Sequence, residues 1–241
     1  GRAMTETRVC VFGDSVAKGV VFDVAKQKYG LIKDCFVNLA CSALRVIPKN
    51  YSKFGCTVTK GAEMINGHSE EIANSDFTIL EFGGNDCDYD WAKIAENPSG
   101  EFLPKTPLDV FVESYSAIIE KIVKMGGKPV LMNLPPIDAQ RFFDWVSRGL
   151  NKNNLMQWLG GHVDYTYRWH ESYSNEVAGL AVKYSIPMLD IRSAFLAKAN
   201  YASLLCEDGM HPNAEGHRLI SQQIQLIVKN YSGYTKSIAA N

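Results

Sequence analysis

The sequence predicts an α/β sandwich whose central sheet is parallel. Strand-like and helical stretches alternate along the whole chain. Two of the strand-like stretches, residues 77–82 and 129–134, are largely apolar, which is typical of strands that are covered on both faces of a parallel sheet. The 241 residues are 46% hydrophobic, and no change of composition marks a boundary. We therefore expect one domain over residues 1–241.

The predicted elements follow one another as strands and helices, and several strands end at turns rich in glycine and polar residues. The strands are expected at residues 8–12, 35–39, 77–83, 129–134 and 187–191. The helices are expected at residues 16–29, 107–125, 164–185 and 213–230. Ligands of such sheets bind beyond the carboxyl ends of the strands, and Ser15 and Asn85 both fall there.

The first strand leads directly into Gly13-Asp14-Ser15, at a point where a helix can begin. A helix N-terminus carries unpaired backbone N–H groups and a dipole that favours negative charge, and both suit an oxyanion. Ser15 is therefore a candidate nucleophile. The alternative is that Ser15 only caps the helix, since serine is a preferred N-cap residue.

A serine hydroxyl needs a base within hydrogen-bond reach and a third group that orients the base. Near the C-terminus, Asp208 precedes His211 by three residues, with Gly209 between them. On one turn, Asp208 could hold one ring nitrogen of His211 while the other faces Ser15. The alternative is a plain surface turn, because Asp, Gly, Pro and Asn are all common in turns.

Acyl transfer also needs donors aimed at the negative oxygen of a tetrahedral intermediate. After the strand-like run at residues 77–82 comes Gly-Gly-Asn-Asp, in which Asn85 can present its side-chain amide. In residues 50–57, Gly55 can bring its backbone N–H close because it has no side chain. Each segment taken alone could be a turn, but four segments that fit four different roles indicate one catalytic site.

These four segments resemble the sequence blocks of the SGNH (GDSL) hydrolases, a branch of serine esterases and lipases. The match runs from residue 8 to residue 217 in the expected order, and Ser52 stands where the second block has its first glycine. The resemblance implies a three-layer α/β/α sandwich with a flavodoxin-like sheet of five parallel strands. The roles that it implies are Ser15 as nucleophile, His211 as general base, Asp208 as its orienting partner, and Ser15, Gly55 and Asn85 as oxyanion donors.

Two further observations concern the identity of one oxyanion donor and the rival class of serine hydrolases. Gly61 could replace Gly55 as an oxyanion donor if the register of the second block is shifted. The chain contains neither a G-x-S-x-G elbow nor an H-G-G-G segment, which argues against the α/β-hydrolase class of serine hydrolases.

Charge and composition exclude several partners. The formal net charge is −1 with no basic block, so neither nucleic acid nor an anionic membrane is expected to bind. No apolar stretch approaches the roughly 18–20 residues that span a bilayer. The six cysteines lack ligand spacing, so no metal and no cofactor are expected. Residues 1–3 are typical of a cloning remnant ahead of Met4, and without a visible signal peptide we expect a cytoplasmic protein.

The substrate must be recognised by the connections between elements, and two of them are unusually long. The one after Asn85 holds Asp88 and Trp91, and the other, a lid-like insertion at residues 136–163, holds Trp145. Asp14 beside the nucleophile is a further candidate contact, with bracing of its own turn as the alternative. Aromatic faces mixed with carboxylates suit a polar ring, although the tryptophans could simply pack the insertion against the body.

The favoured hypothesis is an esterase that forms an acyl-enzyme on Ser15 and removes short acyl groups, acetyl above all, from a carbohydrate or another small polar alcohol. A lysophospholipase, a thioesterase or an acyltransferase could use the same triad. A glycan-binding module is the non-enzyme alternative, but an intact set of four catalytic blocks argues against it. The partner is therefore expected to be a small ester, and the sequence leaves the oligomeric state open.

Overall fold

The computed structural model describes residues 6–240, with side chains described to residue 231. The expected cloning remnant at residues 1–3 lies outside the described residues. The strands are β1 (Thr7–Gly13), β2 (Val20–Asp23), β3 (Lys28–Leu31), β4 (Val46–Asn50), β5 (Phe77–Glu81), β6 (Pro129–Met132) and β7 (Met188–Leu189). The α-helices are α1 (Ser15–Lys18), α2 (Phe36–Leu44), α3 (Val58–Asn66), α4 (Ser69–Asn74), α5 (Trp91–Glu96), α6 (Leu108–Lys124), α7 (Ala139–Val146), α8 (Lys152–Trp158), α9 (Asp164–Tyr184), α10 (Arg192–Leu196) and α11 (Ala214–Ala240), and a 3-10 helix covers Tyr201–Leu204.

Five strands form one parallel sheet in the order β4-β1-β5-β6-β7. Alternate residues of β1 face opposite sides: Phe12 packs with the cluster that includes α6 and α9, and Val11 packs with the cluster that includes α2 and α11. Side chains therefore bury both faces of the sheet, and the molecule is a three-layer α/β/α sandwich with flavodoxin-like strand order. The predicted fold class is confirmed.

The strand predicted at residues 35–39 is wrong, because these residues begin helix α2. The apolar run continues to residue 44, and its buried residues, Phe36, Val37, Ala40 and Cys41, recur at helical spacing. The second strand of the sheet is β4 instead. Pro48 interrupts the apolar pattern that is typical of a strand. Proline is nevertheless tolerated at this position, because β4 lies at the edge of the sheet.

The helix predicted at residues 16–29 is also wrong. Helix α1 is only four residues long and ends at Gly19, whose φ of +88° is left-handed and whose added Cβ would lie 2.6 Å from the Cβ of Cys35. The chain then forms an antiparallel hairpin from β2 and β3. Helices were correctly predicted at α6, α9 and the start of α11, and β7 is shorter than the strand expected at residues 187–191.

The two long connections contain helices of their own. Helix α5 lies in the first connection, and α7 and α8 lie in the insertion at residues 136–163. Their apolar residues form a third cluster that includes Trp91, Phe143 and Leu155. The insertion is therefore packed on the first connection, and its action as a lid stays a prediction. Among the helices that the structure describes, none is long and apolar enough to cross a bilayer.

Candidate active site

The candidate nucleophile lies where the carboxyl ends of β1 and β5 meet. Ser15 is the first residue of α1, and Asp14 caps this helix by accepting a hydrogen bond from the N–H of Val16 at 2.9 Å. The two strand ends approach so closely that a Cβ at Gly13 would lie 2.8 Å from the carbonyl oxygen of Glu81. A glycine is therefore required at position 13, two residues before the nucleophile.

Ser15, His211 and Asp208 form a continuous chain of hydrogen bonds, which is called the relay. Ser15 Oγ lies 2.8 Å from His211 Nε2, and His211 Nδ1 lies 2.6 Å from Asp208 Oδ2. The backbone N–H groups of Met210 and His211 donate to Asp208 Oδ1 at 2.9 and 3.0 Å. All three members of the chain are buried. This is the geometry of a serine nucleophile with its base and the base's orienting carboxylate.

Asp208 is held as a carboxylate although it is fully buried. Burial disfavours the charged form, but the hydrogen bonds from His211 and Met210 outweigh that penalty, and the pKa of Asp208 falls below its ordinary value. The turn that makes this possible contains Gly209 at φ +72°, where an added Cβ would lie 2.6 Å from the backbone nitrogen of Phe142. Asp208 can therefore accept the Nδ1–H of His211 throughout the neutral range.

Asn85 lies beside this chain, and its amide is oriented by two acceptors. Asn85 Nδ2 donates to Asp14 Oδ2 at 3.2 Å and, more weakly, to the carbonyl of Cys56 at 3.4 Å. The amide of Asn50 donates to the carbonyl of Ala17 at 2.8 Å, which ties the second sequence block to the nucleophile helix. Asp14 thus holds Asn85 in place and also lines the cavity in front of Ser15.

A buried carboxyl pair lies beneath the nucleophile, and sequence analysis missed one of its members. Glu81 is only 1% exposed, accepts from the N–H of Ala17 at 2.9 Å through Oε1, and neighbours Asp14. Burial raises the pKa of both acids, and the charge of Asp14 raises the pKa of Glu81 further. No protein N–H or O–H of the described residues satisfies Glu81 Oε2. Because the two acids also hydrogen-bond each other, we predict that the pair retains a proton in the folded protein.

The two glycines considered as oxyanion donors lie in different surroundings. Gly55 has φ +74° in the turn before α3, next to Phe54, which lines the cavity. Gly61 lies inside α3, donates its N–H to the carbonyl of Thr57 at 2.9 Å, and would carry a Cβ 2.4 Å from the ring of Phe82. The alternative that Gly61 donates to an oxyanion is wrong, because its N–H is already bonded. The role of Gly55 stays a prediction.

A cavity of about 260 Å³ opens in front of Ser15 and His211. Its walls are mainly apolar and include the aromatic side chains of Tyr29, Phe54, Trp91, Phe142, Trp158 and Trp169. Polar groups interrupt these walls at Asp88, Lys105, Thr166 and His170. The cavity can thus contact a flat or apolar group and hydrogen-bond it at several points.

The structure places three of the four predicted substrate contacts on this cavity. Asp14, Asp88 and Trp91 line it, and Asp88 accepts from Trp91 Nε1 at 2.9 Å and lies 3.8 Å from the Nζ of Lys105. Trp145 instead lines a shallow neighbouring groove, where the guanidinium carbon of Arg148 lies 3.3 Å from the centre of its ring. Trp91 lines both, so the groove adjoins the cavity.

Two histidines outside the relay are buried and neutral. His170 lines the cavity, and burial followed by the charge of Arg192 lowers its pKa to about 3. His217 accepts from the N–H of Phe36 at 2.9 Å, and burial lowers its pKa to about 4. No cluster of three or more His, Cys, Asp or Glu side chains with metal-binding geometry occurs within the described part of the chain.

A parallel α/β/α sandwich with this serine relay at the strand ends defines a domain of the SGNH hydrolase type. The chain belongs to the GDSL-like Lipase/Acylhydrolase family, whose sequence model matches residues 11–219. The resemblance that the four sequence blocks indicate is confirmed.

Curated and solved relatives are distant in sequence. A rice (Oryza sativa subsp. japonica) protein, GDSL esterase/lipase WDL1, is 22% identical over 153 residues, which cover 63% of this chain and 52% of the relative. The chain thus spans about half the length of this curated relative. The lipase/acylhydrolase of Enterococcus faecalis has a TM-score of 0.65 at 18% identity, covering 93% of this chain and 96% of that one. A variant of Axe2, an acetyl-xylooligosaccharide esterase from Geobacillus, has a TM-score of 0.62 at 19% identity, covering 91% and 92%. At these identities the structural likeness shows the fold alone.

Proposed function

We propose that this chain hydrolyses carboxylic esters through an acyl-enzyme on Ser15. The observation that carries the proposal is the buried chain of hydrogen bonds from Ser15 through His211 to Asp208, at 2.8 and 2.6 Å, which opens on a cavity. Family membership supports the same chemistry.

In the first half of the reaction, His211 Nε2 removes the proton of Ser15 Oγ as that oxygen attacks the ester carbonyl. The carbonyl oxygen becomes an oxyanion, for which we assign three donors: the N–H of Ser15 at the start of α1, the N–H of Gly55 and the amide of Asn85. The Asn85 amide exchanges its long 3.4 Å bond to the Cys56 carbonyl for the oxyanion and keeps its bond to Asp14. His211 then gives its proton to the leaving alcohol. The Ser15 ester remains as the acyl-enzyme.

In the second half, water takes the place of the alcohol. His211 removes a proton from the water as its oxygen attacks the acyl carbon, and the same donors hold the second oxyanion. Collapse of the intermediate returns the proton to Ser15 Oγ and releases the acid. Asp208 stabilises the charged imidazole in both halves, because it remains a buried carboxylate.

We further propose that the substrate is a short-chain ester, acetyl above all, of a carbohydrate or another small polar alcohol. The cavity of about 260 Å³ lies below the roughly 300–1,000 Å³ of pockets that hold drug-sized ligands. Asp88, Lys105 and Thr166 give this small aromatic cavity groups that can bind hydroxyls. The similarity in fold to an acetyl-xylooligosaccharide esterase is consistent with such a substrate.

The test is the initial rate of hydrolysis of p-nitrophenyl esters from acetate to decanoate. The wild-type chain is compared with Ser15→Ala and with Ser69→Ala, a matched control at an exposed position at the start of α4. We expect hydrolysis that Ser15→Ala abolishes and Ser69→Ala leaves unchanged, with rates that fall beyond butyrate.

Other outcomes discriminate between the alternatives. Rates that rise towards decanoate would replace the short-chain proposal with a lysophospholipase or thioesterase. Acyl transfer to an added sugar that outpaces hydrolysis would indicate an acyltransferase. A rate on every ester that Ser15→Ala leaves intact would refute the acyl-enzyme itself, and no rate on any ester would favour the glycan-binding module.

A further inference from the structure

Tyr29 contacts the proposed relay from an element that sequence analysis did not foresee. The residue lies on β3 of the hairpin, and its hydroxyl donates to Asp208 Oδ2 at 2.8 Å. That oxygen also accepts the Nδ1–H of His211 at 2.6 Å. One carboxylate oxygen therefore serves two donors, and only one of them belongs to the relay.

We propose that Tyr29 is a positioning residue that sets how strongly Asp208 attracts the proton on His211. The inference rests on the proposed function, since it assigns a task within the same relay. The ring of Tyr29 packs 5.3 Å from the ring of His211 and lines the cavity, but its hydroxyl bonds to Asp208 and not to Ser15 or His211. The role assigned to this hydroxyl is therefore that of a positioning group, and Tyr29→Phe keeps the ring.

The hydroxyl of Tyr29 can act only as a donor to this carboxylate. Burial, reinforced by the charge of Asp208, raises the pKa of Tyr29, so the phenol keeps its proton through the range in which esters are assayed. A donated hydrogen bond withdraws charge from the accepting oxygen. Asp208 Oδ2 therefore offers less negative charge to His211 than an oxygen with a single donor would.

The contact affects the charge of Asp208 more than its position. The backbone N–H groups of Met210 and His211 already fix the other oxygen, Oδ1, at 2.9 and 3.0 Å. These two bonds keep the carboxylate in place when the phenol hydroxyl is removed. The ring of Tyr29 is held independently by its edge contacts with Phe22 and Trp145, at centroid distances of 5.2 and 6.3 Å.

Several other titratable or charged groups act electrostatically on these residues. Asp14 interacts with His211 from the end of β1, and the buried His217 does so from α11. Cys206 and Arg148 act on Tyr29. None of these groups is changed when the hydroxyl of Tyr29 is removed. A difference in the titration of His211 between the wild-type chain and Tyr29→Phe therefore reports the loss of this single hydrogen bond.

The experiment compares Tyr29→Phe with the wild-type chain. The matched control is Tyr184→Phe, which also removes a tyrosine hydroxyl that donates to a carboxylate, Glu120 Oε1 at 3.3 Å, on an exposed surface. Three quantities are measured for each protein: the pH profile of kcat/KM on p-nitrophenyl acetate, the melting temperature, and the NMR titration of the His211 ring without substrate. The His211 signal is assigned with His211→Gln.

In Tyr29→Phe, Asp208 keeps more negative charge for His211 and so favours the protonated ring. We expect the acidic limb of the pH profile and the NMR midpoint to move together to higher pH, by about half a unit to one unit. The plateau value of kcat changes less than about tenfold, because Oδ1 still anchors the carboxylate. Tyr184→Phe leaves all three quantities at the wild-type values.

Equal midpoints in Tyr29→Phe and wild type would overturn the inference, including the case in which rate and melting temperature fall together at every pH. The NMR titration separates the two proposals. If the wild-type chain hydrolyses no ester while the His211 midpoint still moves in Tyr29→Phe, the proposed function fails and the role of Tyr29 stands.

Discussion

Replacement of Glu81 by glutamine tests whether the carboxyl pair beneath Ser15 retains a proton. Glu81 is almost fully buried and neighbours Asp14, and both effects raise its pKa in the folded protein. The folded state then keeps a proton that the unfolded chain releases above its ordinary pKa of 4.5. Stability from this group is therefore fully present below pH 4.5 and is lost as the pH rises towards the folded pKa. Glutamine has a similar shape, carries no such proton, and can donate its amide to Asp14.

The expected gain follows from linkage. Each unit by which folding raises the pKa of Glu81 costs about 1.4 kcal/mol at a pH above the folded value. In a chain of this size, 1 kcal/mol corresponds to about 2–4 °C in melting temperature. Glu81→Gln should therefore melt roughly 3–6 °C higher than wild type at pH 8 for every unit of the shift. At pH 4.5 the two proteins should melt together.

The assay is calorimetry of both proteins at a series of pH values from 4.5 to 8. Glu113→Gln, which removes an exposed carboxylate of α6, controls for the change in net charge. Asp86 and Asp88 also have raised pKa values, but they are common to all three proteins. Asp14 belongs to the pair under test, and Glu81→Gln leaves it a hydrogen-bond donor in the place of the carboxyl group. A Glu81→Gln protein that loses stability equally at every pH, or gains none between pH 4.5 and 8, would refute the retained proton.

Three further substitutions test individual contacts. Asn85→Ala should lower kcat on p-nitrophenyl acetate by about 10²–10³ with little change in KM, since an oxyanion donor acts in the transition state. Asp208→Asn should lower kcat by about 10⁴, because an amide can force the wrong tautomer on the triad histidine; a rate within tenfold of wild type would contradict this. Gly61→Ala should lower the free energy of unfolding by about 1–3 kcal/mol in urea, because its Cβ meets the ring of Phe82. Gly179→Ala, in open space within α9, should instead be neutral or stabilising.

The fold class could be predicted because the central strands carry their own signal. Strands β5 and β6 are buried by helices on both faces, and that environment selects the apolar runs that the sequence shows. Strand β4 could not be found in this way, because it is an edge strand that includes Pro48. Residues 35–39, of which all but Asn38 are apolar, are too short a window to distinguish strand from helix.

The hairpin of β2 and β3 was missed for a different reason. A serine near a helix start predicted a helix, but Gly19 ends that helix after one turn because its backbone is left-handed and Cys35 packs against it. The close contact with Cys35 is tertiary. Local propensity therefore could not predict that the helix ends at Gly19. For the same reason the hairpin that carries Tyr29 could not be predicted.

Some residues of the candidate site could be predicted from the sequence, and others could not. Ser15, Asn85, Asp208 and His211 could be named from the sequence because each lies in a short block whose spacing fits a single chemical role. Tyr29 donates to Asp208, which lies 179 positions further along the chain. No sequence pattern near Tyr29 predicts that contact. Glu81 left one usable signal, a carboxylate at the end of a strand whose neighbours are largely apolar.

The central claim is that Ser15 becomes covalently acylated, and the most direct test is reaction with the organophosphate diethyl p-nitrophenyl phosphate followed by peptide mass spectrometry. Phosphorylation by this reagent requires the same activated serine and oxyanion donors as ester cleavage. We expect one diethylphosphoryl adduct, located on Ser15, formed in step with the loss of esterase activity and absent from Ser15→Ala. An unmodified Ser15 in a protein that still cleaves esters, or an adduct on another residue that accounts for the inhibition, would contradict the claim.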